Sequence, residues 1–149
     1  MTGENCIICA DRAIHNREIA RTELSFSFPS NMPILPGHVL VCPARHVAVF
    51  EELTNAERRD LWDMVSRIQR TLAVAFHASG VNIAWNEGSL AGQSIGHLHI
   101  HVVPRRAGDA GITEYEPRQF LYRPGTRETS PEKELVVVAD TLREAYLKV

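Results

Sequence analysis

No stretch of the 149 residues is apolar for the roughly twenty positions that a membrane-spanning helix needs, which excludes a helical membrane protein. Neither sign of charge dominates. The 16 Lys and Arg stand against 18 Asp and Glu, mixed along the chain, so the basic footprint of a nucleic-acid binder is missing. Cysteine is scarce: three residues, an odd number, do not make a disulfide framework. The segment from Met1 to Asn5 has neither the basic nor the apolar run of an export signal, and internal repeats and low-complexity tracts are lacking as well. A single domain over 1–149 with a real core, of cytoplasmic type, is what these absences leave.

Periodicity supplies the elements. Glu23 to Phe28 alternates like a strand, Pro29 to Gly37 is a turn-rich connection, and His38 to Cys42 is a second, more buried strand ending at Pro43. The two read as a hairpin. Thr54-x-x-Glu57 is a capping box that opens a long helix, with Leu61, Met64, Val65, Ile68, Leu72, Ala75 and Phe76 at helical spacing up to Gly80. Val81 to Asn86 is a further strand, pairing antiparallel with His97 to Val103 across the loop Glu87 to Gly96. Arg105 to Ser130 is irregular, Phe120 to Arg123 being extended. Ser130-Pro131 then starts a last helix with Leu135, Val138, Leu142, Ala145 and Tyr146 on one face. The fold class is therefore α+β: an antiparallel sheet of about five strands, the long helix on it, and a C-terminal helix. The core covers about 1–105, and 106–149 adds the irregular segment and that helix.

His97-Leu98-His99-Ile100-His101-Val102-Val103 carries the strongest functional signal. Period-two alternation sends the three imidazoles to one face and Leu98, Ile100 and Val102 to a core. Such a row is either reactive, a transition-metal site using two of its members, or a solvated strand edge. The loop before it, Asn86-Glu87-Gly88-Ser89-Leu90-Ala91-Gly92-Gln93-Ser94-Ile95-Gly96, has glycines such as Gly92 that let backbone amides approach an anion. It also brings Gln93 and Ser94 to the mouth of the row. A tight glycine hairpin meeting water is the alternative for the loop taken alone.

His38-Val-Leu-Val-Cys-Pro43, Asn86-Glu87-Gly88, Ala91-Gly92-Gln93-Ser94 and the triple histidine occur in the order and spacing of the histidine triad (HIT) family, which the first 105 residues or so resemble. The resemblance implies a HIT-like fold and a nucleoside phosphate, usually adenylated, with its α-phosphorus over His99. That residue would form a nucleotidyl-histidine later resolved by water or inorganic phosphate. His99 would donate to the main-chain carbonyl of His97, and His101 would donate to the non-bridging phosphate oxygens. Asn86, Gly92, Gln93 and Ser94 would surround the phosphate, with Ser94 or Gln93 beside the leaving group. His38 would buttress the triad or be a satisfied structural histidine. The family's ribose-holding Asp or Asn lies eight residues before His38. That position is Ser30 here, so ribose contact falls to Ser30 or its neighbour Asn31. Leu24, Phe26 and Phe28 either wall a base pocket or are core.

The same resemblance, in its bacterial branch, gathers Cys6 and Cys9 of the C-x-x-C with His46 and His97 into a structural zinc site of Cys2His2 type, His15 being a weaker substitute. A redox C-x-x-C or a vestigial pair are the alternatives, although thioredoxin-like chemistry would need a strand before it. Cys42, in an apolar strand, reads as core. Arg105, Arg106, Arg118, Arg123 and Arg127 either reach polyphosphate or a partner subunit or are solvated surface. The family's common form is a homodimer joining two sheets, and the strand edge near Val81 to Asn86 or the long helix is the candidate two-fold interface here. Rival readings are a nucleotide-binding module without turnover and a zinc-stapled interaction protein. The intact histidine row favours a nucleotidyl hydrolase, transferase or phosphorylase over both.

Overall fold

The computed structural model describes residues 5–111 and 129–149. Two short helices, α1 (Ile7–Ala10) and α2 (Arg12–Asn16), lead into strands β1 (Ala20–Arg21), β2 (Ser25–Pro29) and β3 (Val39–Pro43). The long helix α3 (Asn55–Phe76) separates these from β4 (Gly80–Ala84) and β5 (Ile100–Arg105), and α4 (Glu132–Tyr146) follows. The strands form one antiparallel sheet in the order β1-β2-β3-β5-β4. The hairpin β2-β3 and the pair β4-β5 are those expected from alternation. α1, α2 and the two-residue β1 are too short to leave a periodic signal.

Register decides which side chains share a face. Directly opposed residues of an antiparallel pair point the same way. Phe26 lies opposite Cys42, Phe28 opposite Leu40, Leu40 opposite His101, and Ala84 opposite His101. The other face carries Val39, Val41, Ile100 and Val102, which pack with Leu98 against Leu61, Met64, Val65, Ile68 and Leu72 of α3 and Leu142 of α4. Each such fully buried side chain contributes about 1.5–3 kcal/mol, so this layer is the main source of stability. A second cluster of Cys6, Ile8, Ile14, Phe26, Phe28, Leu40 and Cys42 covers the histidine face at its β2 end. Phe26, Phe28 and Cys42 are thus core.

The capping box at Thr54 and Glu57 is formed in both directions. The helix stops at Phe76, before Gly80, because His77 turns into the left-handed region at φ 52 and the Ala78 N–H closes back on the Leu72 carbonyl. β2 begins at Ser25 and not Glu23, since Thr22 folds a turn in which its hydroxyl accepts from the Ser25 N–H. His97 to His99 stay outside the ladder, and β5 starts only at Ile100. There the Leu98 N–H donates 2.7 Å to the Val47 carbonyl, and His97 turns its ring toward the N-terminal cysteines. Pairing gives way to a separate use of the side chain. Phe120 to Arg123, like Arg118 and Arg127, falls outside the described residues.

Candidate active site and metal cluster

His99 is buried and its Nδ1–H donates to the carbonyl of His97 at 2.7 Å. Desolvation lowers its pKa below the ordinary histidine value, against the opposing pull of that bond. The ring is therefore neutral near pH 7, with Nδ1 protonated and the Nε2 lone pair available.

The neighbouring histidine is set from the far side. The Ile34 N–H donates to Nδ1 of His38 at 3.1 Å, so the His38 proton sits on Nε2, which faces Nδ1 of His101 at 3.0 Å. His101 accepts there and carries its own proton on Nε2. Its ring centroid lies 5.1 Å from that of His99. A lone pair and an N–H donor thus stand side by side on one face, which suits attack on phosphorus next to a donor for its oxygens.

The loop before the histidine row is built by Gly88 and Gly92, at φ 81 and 91, values that side chains rarely adopt. Gln93 closes it. Its Oε1 accepts from the Gly88 N–H and its Nε2 donates to the Ala48 carbonyl, both at 2.8 Å. With both ends of the amide engaged, Gln93 shapes the loop, and the next residue, Ser94, is exposed. Half-buried Asn86 borders the same loop, its Nδ2 3.5 Å from where a Cβ on Gly92 would lie. Ser30 donates its N–H to the His38 carbonyl and so continues the β2-β3 register onto the histidine face. Asn31 turns its carbonyl oxygen to Arg17, which is fully buried and also pairs with Glu132 at 3.1 Å.

His97 faces the other way. Its Nε2–H donates to the Pro43 carbonyl at 2.9 Å, leaving the Nδ1 lone pair directed at Cys9 Sγ (3.3 Å) and Cys6 Sγ (3.7 Å). His46 brings Nδ1 to 3.5 Å from Cys9 Sγ, and all four donor atoms lie within 4.8 Å of one another. Bonds of about 2.0–2.3 Å arranged tetrahedrally give donor-to-donor edges of roughly 3.3–3.8 Å, and the three sulfur–nitrogen separations of 3.3, 3.5 and 3.7 Å match those of a four-coordinate zinc site. Desolvation, with smaller contributions from His46 and His99, lowers His97 to about 4. Burial, then Cys6, pushes the Cys9 thiol up to about 11. Two cysteines and two histidines crowded this closely form a donor set suited to a cation. His15 is not one of the four. It points Nε2 at the Cys9 carbonyl (3.0 Å) and Nδ1 at Glu18 (2.6 Å).

Several participants were not anticipated. Glu87 accepts from the Phe50 N–H and the Trp85 indole N–H, fixing the corner where β4 enters the loop. Arg17 has no local signature, being one cation among many in the sequence. Arg105, a candidate for polyphosphate, forks onto Asp109 and also donates to Asn82. Two clefts of about 230 and 200 Å³ open beside Arg105–Asp109 and between the Pro29–His38 turn and α4. His99 borders neither.

The HIT domain family matches residues 11–108. The chain belongs to the HIT family. It is 39% identical over 110 residues to the bis(5'-adenosyl)-triphosphatase of Dictyostelium discoideum, a match covering 74% of this chain and 70% of that protein. An AP-4-A phosphorylase of Mycobacterium tuberculosis is 38% identical over 95 residues, 63% of this chain and 49% of its own length. The matched region thus spans about half the length of that phosphorylase, as it does of a bis(5'-nucleosyl)-tetraphosphatase of Schizosaccharomyces pombe, 44% identical over 89 residues. A Zn-bound histidine triad family protein from Mycobacterium smegmatis superposes with a TM-score of 0.74 at 26% identity, over 98% of this chain and 96% of that one. The five-stranded sheet with its long and C-terminal helices is the HIT fold.

Proposed function

We propose that this HIT domain transfers a nucleotidyl group from an adenylated substrate, a dinucleoside polyphosphate or an AMP amidate, to water or inorganic phosphate. The observation that carries the reading is the His99 Nδ1–H bond to the His97 carbonyl, which leaves Nε2 as a neutral nucleophile beside the Nε2–H of His101. In the first half-reaction the Nε2 lone pair forms a bond to the α-phosphorus while the bond from phosphorus to the bridging oxygen or nitrogen breaks. That electron pair leaves with the polyphosphate or amine, and His101 donates to the non-bridging oxygens as their charge grows. In the second half-reaction a water or phosphate oxygen attacks the same phosphorus and the pair returns to Nε2. Asn86, Gly92 and the Gln93-braced loop surround the phosphate, Ser94 serves the leaving group, and Ser30 with Asn31 borders the sugar. The named activities of the triphosphatase and phosphorylase relatives support this choice of substrate class.

Cys6, Cys9, His46 and His97 would hold zinc, whose contribution is structural: it ties the N-terminus to the residue that orients His99. The Zn-bound M. smegmatis neighbour supports that assignment. Unbridged cysteines in such a site suit the reducing cytoplasm. Trp62 and Trp85, both partly exposed with ring centroids 6.1 Å apart near β4, the end strand of the sheet among the described residues, suit a two-fold partner and support a homodimer. No described helix is long and apolar enough to cross a membrane.

The test is product analysis with diadenosine tri- and tetraphosphate and an AMP amidate, with and without added phosphate. AMP release, or a nucleoside diphosphate formed only when phosphate is present, is expected. Absence of turnover on all of them would overturn the reading.

A further inference from the structure

We infer that His15 is a positioning residue for the metal centre, clamping the Cys6–Cys9 loop from outside through the Cys9 carbonyl. This rests on the metal reading above. Cys9 belongs to a four-residue helix near the start of the described chain, too short to be stable by itself. Its local bonds, Cys9 N–H and Ala10 N–H to the Cys6 carbonyl, close the turn, and Cys6 and Ile8 seat one side of it in the apolar cluster. The polar contact that orients the Cys9 end comes from His15, whose Nε2 lies 3.0 Å from the Cys9 carbonyl oxygen.

His15 is itself held. Its Nδ1 faces Glu18 Oε1 at 2.6 Å, and Glu18 receives a two-pronged bond from Arg21 at 2.8 and 2.6 Å. The Arg21 guanidinium lies 4.5 Å from the centroid of the Phe26 ring, which packs in the same cluster as Cys6 and Cys42. Arg21 also stands opposite Phe26 in the β1-β2 register. A continuous chain of contacts, Cys9 to His15 to Glu18 to Arg21 to Phe26, therefore fastens the thiol loop to the sheet. Both ring nitrogens of His15 face oxygen acceptors and neither faces a thiol, which distinguishes a clamp from a ligand. A metal site whose ligands are oriented before binding loses less entropy on loading, and loss of an outer partner typically weakens metal affinity about 10–100-fold.

The experiment measures zinc affinity by chelator competition and the absorption of the cobalt-substituted protein, for wild type, His15→Ala, His15→Gln, Glu18→Gln and the ligand control Cys9→Ser. His15→Ala is expected to bind one metal per chain with the wild-type cobalt bands but 10–100-fold more weakly. His15→Gln, whose amide N–H still reaches a carbonyl, recovers part of the loss, and Glu18→Gln shows a smaller one. Cys9→Ser loses the thiolate absorption and the tight stoichiometry. Wild-type affinity in His15→Ala and Glu18→Gln overturns the clamp, and cobalt bands altered in His15→Ala as in Cys9→Ser make His15 a ligand, which overturns it equally. A wild-type protein that binds neither zinc nor cobalt defeats the metal reading, and the clamp with it.

Discussion

The carbonyl of His97 accepts the Nδ1–H of His99 at 2.7 Å, while the ring of the same His97 lies among the cysteines. One residue therefore joins the cysteine-histidine cluster to the His99 imidazole: whatever fixes the His97 ring also fixes the carbonyl that chooses the tautomer of His99.

His99→Ala is expected to lower kcat at least about a thousandfold, the scale of losing a nucleophile, with a much smaller change in nucleotide affinity. Acid-quenched mass spectrometry of the wild type should find a nucleotidyl adduct on His99. Near-native turnover by the variant would remove His99 from the mechanism.

Protein purified without chelator under reducing conditions should contain close to one zinc per chain by elemental analysis. Stripping it is expected to lower Tm and to reduce kcat more than it raises KM, because the carbonyl orienting His99 loses its anchor while the phosphate loop, braced by Gln93 on Ala48, does not. A stripped enzyme with unchanged kcat would show that His97 is held well enough by Pro43 alone.

Ser94→Ala should slow AMP amidates far more than diadenosine polyphosphates. A departing amine needs a proton or hydrogen bond, whereas a polyphosphate is already a stable anion. Equal losses in kcat/KM on both substrate types would transfer the leaving-group role to the loop backbone. Gln93→Ala, by contrast, should depress both alike, since it loosens the whole loop.

Acid stability should depend on Glu57. The Arg45 fork, helped by the bonds from Thr54 and opposed by burial, lowers its carboxyl from 4.5 to about 2. A depressed carboxylate stabilises the fold above its unfolded pKa, and that contribution drains away as pH falls from about 4.5 toward 2. Denaturant melts across this window should show a shallower decline for Glu57→Gln than for wild type. Thr54→Ala, which removes the cap hydroxyl, is expected to cost about 1 kcal/mol at neutral pH.

Trp85→Glu places a charge just after β4, the end strand of the sheet among the described residues, and is expected to shift sedimentation from dimer to monomer. A wild type that sediments as a monomer at micromolar concentration would refute the dimer itself.

Local pattern was enough for much of this molecule. The capping box, the helix stripe on α3 and the alternation of Ile100 to Val103 each depend on neighbours a few residues apart, where the backbone period dictates which side chains share a face. Those same periods predicted the two antiparallel pairs and the inward turn of Leu98, Ile100 and Val102. The order of the motifs was likewise sufficient to nominate His99, His101 and the Cys6, Cys9, His46, His97 set. Tertiary structure decided what each group is bonded to. The proton on His101 is set by the Ile34 amide through His38, sixty-three residues away from His101 in sequence, and the Gln93 amide is committed to a carbonyl forty-five residues back. Asn31 faces a buried Arg17, and His15 turns to a carbonyl and not to the metal donors. A hydrogen bond is directional and accepts a partner from anywhere in the chain. Hydrophobic periodicity can place a side chain on a face, but only the folded packing says which lone pair or proton meets it there.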